Sequence, residues 1–223
     1  MATATRKKID YPTSDGRPMA ETDLHRDLMV ELIQTLQTRY AEVPNVYVSG
    51  NLLVFYKKGD RRRHLSPDVF VVRGVAKHRR DNYLIWEEGK GPEVVIELTS
   101  QSTRDEDIDD KYDLYASELH VPEYFLFDPY GEYLQPSLRG YRLREGEYVS
   151  IRAVAGRLPS KVLGLHLERH GTQLRLYDPK TGHRLPTPSE TVAREIAARQ
   201  RAEAEAERLR RELEELRHGP KKS

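Results

Sequence analysis

Residues 94 to 98 read Val-Val-Ile-Glu-Leu, and no other stretch limits the fold of this chain so strongly. A short apolar run of this composition, preceded by Gly91-Pro92 and followed by polar residues, predicts the central, buried strand of a sheet. Glu97 is the exception within it. Burying a carboxylate without a partner costs several kcal/mol, so the strand needs a partner for it. Alternation along a strand places Val95, Glu97 and Thr99 on one face and Val94, Ile96 and Leu98 on the other.

The remaining pattern supplies elements around this strand. Residues 1–19 mix charge, Pro and Gly and read as a flexible N-terminal arm. Leu24, Leu28, Leu32 and Leu36, with Met29 and Ile33 beside them, have the spacing of a single apolar helical stripe. After Pro44 and Asn45 come two short β-rich runs interrupted at Ser49 and Gly50, then "LSPDVFVV", a strand that Pro67 can open. Residues 73–92 read as irregular. Ser102 or Thr103 can cap a helix after the central strand, and Ile108, Tyr112, Tyr115 and Leu119 would form its inner face. "EYFLFDP" predicts another strand. Two hairpins follow, turning at Glu145-Gly146 and at His170-Gly171. This order predicts an α+β, or mixed α/β, fold.

From Thr187 the composition shifts to Ala, Glu, Arg and Leu, which predicts a C-terminal segment over residues 187–223 made of one long charged helix and a disordered basic tail, "GPKKS". Leu209, Leu213 and Leu216 fit a short coiled-coil seam, but Arg199, Ala202 and Ala206 interrupt it upstream. A solvated helix and a homodimer formed through this segment are both open at this level. The chain carries 37 Lys and Arg against 36 Asp and Glu, a net charge of +1, so no global field recruits nucleic acid or an anionic membrane. A basic site must be local, as in Arg61, Arg62, Arg63 and His64, or in Lys77, His78, Arg79 and Arg80. Cysteine is absent, which removes disulfides and thiolate metal sites and suits the cytoplasm. No secretory or membrane-spanning apolar stretch is expected.

The candidate chemistry centres on two acids. Asp68 precedes the apolar run of one strand and Glu97 lies near the end of the next, so their carboxylates can converge, and converging carboxylates ordinarily need a cation between them. Mg²⁺ or Mn²⁺ prefers such oxygen ligands and could activate water against a phosphodiester. Lys111 lies about 60° from the stripe of Ile108 and Tyr115 at ~100° per residue, on the border of the buried face, and is a candidate for acting on the water or phosphate. The bland alternatives are a structural pair of Glu97 with Arg104, a turn role for Asp68, and a surface pair of Lys111 with Asp107. Arg61 to Arg63 read either as a solvated hairpin loop or as a DNA contact. His166, His170 and His183 read as surface residues.

These residues resemble a known pattern. Pro67-Asp68, then Glu97 on a later strand, is similar to the metal-binding signature of the PD-(D/E)XK nuclease superfamily. More specifically, "SPDVFVV" and "GPEVVIELTSQSTRDEDIDDKYDLYASELHVPEYFLFDP" resemble the Uma-type family of restriction endonucleases, a likeness running over roughly residues 20–165. It implies a restriction-endonuclease-like domain over residues 20–186, with a central mixed sheet flanked by helices and Mg²⁺-dependent cleavage of DNA. Asp68 and Glu97 would be its metal ligands. The superfamily pattern places lysine two residues after the glutamate, where this chain has Thr99. In the Uma-type relatives the lysine moves to the following helix, the place of Lys111. Glu21 and His25, one turn apart on the first helix, match the position from which similar nucleases supply an acidic accessory residue, but they also suit a capping and solvent-facing pair. The rivals to a DNA nuclease are a catalytically inactive member of the fold, acting as a DNA-binding or assembly module, and a nuclease for RNA or damaged structures.

Overall fold

The structure is a computed structural model that describes residues 11–14, 22–99, 110–132 and 134–218. It divides into two compact units, Met1–Leu185 and Pro186–Ser223. In chain order the first unit contains α1 (Asp23–Arg39), β1 (Val46–Ser49), β2 (Val54–Phe55), β3 (His64–Leu65), β4 (Val69–Arg73), β5 (Tyr83–Leu84), α2 (Ile85–Glu88), β6 (Val94–Leu98), α3 (Lys111–Ser117) and β7 (Glu123–Phe127). It continues with β8 (Leu138–Arg144), β9 (Glu147–Ser150), β10 (Leu158–Ser160), β11 (Leu165–His170), β12 (Gln173–Asp178) and β13 (His183–Arg184). The second unit is α4 (Pro188–His218).

The expected α+β plan with a central mixed sheet is the fold observed. Its six strands lie in the order β1-β4-β6-β7-β8-β9, antiparallel except for the parallel pair β6 and β7. Parallel neighbours require a crossover, and α3 lies in the segment that links them. Every residue of β6 is buried. The alternation read from its sequence is realised: Val94, Ile96 and Leu98 pack with Leu28, Leu32 and Leu36 of α1 and with Leu165, Leu167 and Leu176 of the second sheet, β10-β11-β12-β13. Val95 belongs to the opposite core, with Phe70, Tyr124, Tyr115 of α3, and Val54 and Tyr83 from the small sheet β3-β2-β5. Thr22 caps α1 by accepting from the His25 N–H at 3.2 Å.

Several local expectations need correction. Residues 73–92 are not wholly irregular: Tyr83–Leu84 pairs in parallel with Val54–Phe55, and α2 follows. Two-residue strands show no periodicity, which is why the sequence hides them. The second hairpin turns one residue later than expected, because His170 faces Gln173 and leaves Gly171-Thr172 as the turn. The first turns at Glu145-Gly146, both at positive φ, the geometry that matches strand twist. The arm read over residues 1–19 is anchored at Tyr11, whose ring lies 5.0 Å from Phe55 and 5.1 Å from Trp86. The proposed cap residues Ser102 and Thr103, and Ile108, lie outside the described residues.

Two further acids in the family-like stretch have structural partners. Glu123 accepts from Arg142, Ser160 and the Lys161 N–H, tying β7 to β8 and to the second sheet. Asp128 accepts from the Tyr130, Gly131 and Leu134 N–H groups and holds the turn after β7.

Candidate active site

The antiparallel register of β4 and β6, with Val69 opposite Ile96, brings Asp68 level with Glu97. Each carboxylate then reaches across to the other strand's backbone. The Asp68 N–H donates to Glu97 Oε2 at 3.1 Å, and the Leu98 N–H donates to Asp68 Oδ2 at 2.7 Å. Side chains thus take over where the ladder would otherwise run, and the two acids are locked to each other. Their remaining oxygens turn to different layers. Asp68 Oδ1 lies 3.3 Å from His25 Nε2 on α1. Glu97 Oε1 accepts from the Tyr115 hydroxyl at 2.6 Å and lies 3.3 Å from Lys111 Nζ, both on α3.

Burial makes these contacts strong. Glu97 is fully buried, and the Lys111 side chain is only 15% exposed. An ion pair there is screened far less than one at the surface, and the anionic form of Glu97 is held by a cation and a phenol together. His25 is buried against Asp68, so the solvent-facing reading of His25 does not hold. Its partner in that reading, Glu21, lies outside the described residues, as do Arg104 and Asp107. The structure therefore brings together Asp68, Glu97, Lys111 and His25 from four separate elements. Arg61, Arg62 and Arg63 do not join them; all three are exposed in the loop between β2 and β3.

Two residues that shape the site were read only as fold elements in the sequence. Tyr115 was assigned to an apolar helix face, although a buried phenol needs a hydrogen-bond partner and that need was the available signal. Gly50 was read as an interruption between strands. A Cβ built on it would stand 1.9 Å from the Asp68 carbonyl oxygen, so only glycine lets the chain pass this close behind Asp68.

Does this arrangement suit a divalent cation? Among the described residues no group of three or more His, Asp and Glu side chains forms a protein cage for a metal. Beyond the oxygens that the two backbone N–H groups hold, each carboxylate presents a second one, Asp68 Oδ1 beside His25 and Glu97 Oε1 beside Tyr115 and Lys111. That donor set fits Mg²⁺ or Mn²⁺, which is ordinarily held by one or two carboxylates and keeps several waters, and it does not fit an ion requiring an all-protein shell.

Residues 2–190 match the Uma2 family model, whose description is "Putative restriction endonuclease". The chain belongs to the Uma2 family. The match takes in every element that contributes to the site, and extends past the residue 20–165 stretch on which the likeness was read. Among solved structures, the Uma2 chain resembles a crystal structure from Anabaena variabilis described as "a putative nuclease belonging to DUF820". That likeness has 14% sequence identity and a TM-score of 0.48, covering 66% of this chain and 79% of the other. A search of curated proteins gave no match. Thr99 lies two residues after Glu97. It is buried, and its hydroxyl has no hydrogen bond among the described residues.

Proposed function

We propose that this Uma2 chain hydrolyses phosphodiester bonds of DNA with Mg²⁺ or Mn²⁺ held by Asp68 and Glu97. The observation that carries the reading is the mutual lock of these acids at the junction of β4 and β6, with Lys111 delivered to the same carboxylate by α3. A cation bound there would supply charge neutralisation and a more acidic water. Asp68 and Glu97 orient their second oxygens because their other oxygens are fixed by backbone N–H groups. Lys111 offers an ammonium beside Glu97 for the water or for the charge that develops on the phosphate. Tyr115 and His25 act as positioning residues for Glu97 and Asp68. The long helix α4 leaves Val192, Ile196, Leu209, Leu213 and Leu216 half or more exposed, and we infer a homodimer formed through it.

The same contacts favour one rival. A carboxylate pair already matched with Lys111, Tyr115 and His25 is also what an inactive nuclease-fold module, serving DNA binding or assembly, would retain. Incubating the protein with supercoiled plasmid, linear DNA and RNA in Mg²⁺ or Mn²⁺ separates the two. Wild type is expected to nick or linearise the plasmid, with Asp68→Ala and Glu97→Ala slower by at least ~10²-fold, the scale of losing a transition-state contact. Equal inertness of all three proteins on every substrate would overturn the enzyme reading, and cleavage confined to RNA would reassign the substrate.

A further inference from the structure

The cations of this chain are not evenly spread. Between β2 and β3, residues 57–63 read Lys-Lys-Gly-Asp-Arg-Arg-Arg, five cations against the single carboxylate of Asp60, a surplus of four in a chain whose net charge is +1. Such a surplus repels itself and gives nothing to stability, so a merely solvated loop gains nothing by being held in one shape. Yet this loop is held. The Asp60 N–H donates to the Lys57 carbonyl at 3.3 Å, Asp60 Oδ1 accepts from the Arg62 N–H at 3.0 Å, and the Tyr56 N–H donates to the Arg63 carbonyl at 3.2 Å. Gly59, at φ +92°, supplies a turn conformation that L side chains rarely adopt.

A brace comes from far along the chain. The Gly59 N–H donates to the Tyr11 hydroxyl at 2.8 Å, and the Asn82 side-chain amide donates to the Tyr11 carbonyl at 3.1 Å. With its ring against Phe55 and Trp86, Tyr11 pins the loop from outside the hairpin. Among the described residues Lys57, Lys58 and Arg61 have no side-chain partner, while Arg62 contacts Asp60 with its side chain 92% exposed.

β3 leads through Ser66 and Pro67 straight into Asp68. Arg63 lies five positions before Asp68, at most about 17 Å of extended chain. At one phosphate per ~3.4 Å of helix axis on each strand, that is a reach of about five nucleotides. We propose that the Lys57–Arg63 loop, braced by Tyr11, is a sequence-independent grip on the DNA phosphate backbone next to the Asp68–Glu97 site. This deepens the nuclease reading and depends on it for the identity of the polyanion.

The test is duplex binding in EDTA, where cleavage cannot occur, measured by fluorescence anisotropy across a salt series. Wild type is expected to bind at low salt. Lys57→Ser, Lys58→Ser and Arg61→Ser combined should weaken binding at least ~10-fold and reduce the slope of log K on log salt by about 2 to 3, near 0.9 per lost phosphate contact. Arg61→Ala alone should lower the slope by about 1 and guards against misfolding of the triple variant. An unchanged slope in both variants, or a wild type that does not bind duplex at low salt, would overturn the proposal. Binding lost with the loop charges in a protein that cleaves nothing keeps the grip and removes the nuclease reading. Cleavage by the triple variant with unaltered KM and salt dependence does the reverse.

Discussion

Glu97 shows how a single buried carboxylate can be costly and compensated at once. Its carboxylate is fully buried yet has Lys111 at 3.3 Å and the Tyr115 hydroxyl at 2.6 Å. Removing one partner from such a pair leaves an uncompensated charge. Lys111→Met is therefore expected to cost about 3 kcal/mol of stability by chemical denaturation, and Glu97→Gln in the same chain to recover most of that loss without restoring cleavage. A double variant no more stable than Lys111→Met would show that the pair does not couple. Tyr115→Phe keeps the ring and loses only the hydroxyl donor, for which about 1 to 3 kcal/mol is expected in the same measurement. Gly50→Ala probes the support behind Asp68. Gly50 is not at positive φ, so its backbone tolerates a side chain, but the added carbon would meet the Asp68 carbonyl at 1.9 Å and Ile33 at 2.7 Å. The Asp68 peptide must shift, and both thermal stability and cleavage should fall. Normal activity in Gly50→Ala would remove this glycine from the site.

At the scale of elements, an ion pair ties the loop between β4 and β5 to α2. Arg80 donates from Nε and Nη2 to the two oxygens of Glu88, each at 2.6 Å, while its guanidinium lies 4.1 Å from the Tyr47 ring centre. The Arg80 hydrogen bonds hold the Glu88 carboxyl below its ordinary value of 4.5. A depressed acid contributes stability that is present above its unfolded value and is lost as pH falls through the lower folded value. Glu88→Gln should therefore lower the thermal midpoint at neutral pH, and the gap from wild type should close as pH drops below 4.5. A gap independent of pH would mean that packing, not charge, sets the effect. The long helix α4 presents the other case. Its described length is laced with pairs such as Arg199 with Glu203 and Arg211 with Glu207, which support an isolated helix without burying it. Its exposed Leu209, Leu213 and Leu216 would form the seam of the proposed dimer.

Over the whole molecule, the division at Leu185 and Pro186 leaves both cores in the first unit. A chain ending at residue 186 should keep the thermal midpoint of the full protein and sediment as a monomer, while the full chain sediments as a dimer. A monomer in both would end the assembly role of α4. Much of this organisation was legible in advance because it rests on local rules. Leucines at helical spacing produced α1, the apolar run produced the buried β6, and the change in composition near Thr187 marked α4. The pairing of Asp68 with Glu97 could be anticipated because strand alternation and motif order both pointed to it. What no local rule could supply was which side chains close around those acids. His25 reaches Asp68 and Tyr115 reaches Glu97 across the two faces of the sheet, and Tyr11 braces a loop 48 residues away in sequence. Sequence by itself determined which elements form and which residues carry charge and hydrogen-bonding capacity, because propensity and periodicity act over a few residues. Only the tertiary structure decided the partners, because a contact between layers depends on strand register and crossover geometry, to which residues far apart in the chain contribute together.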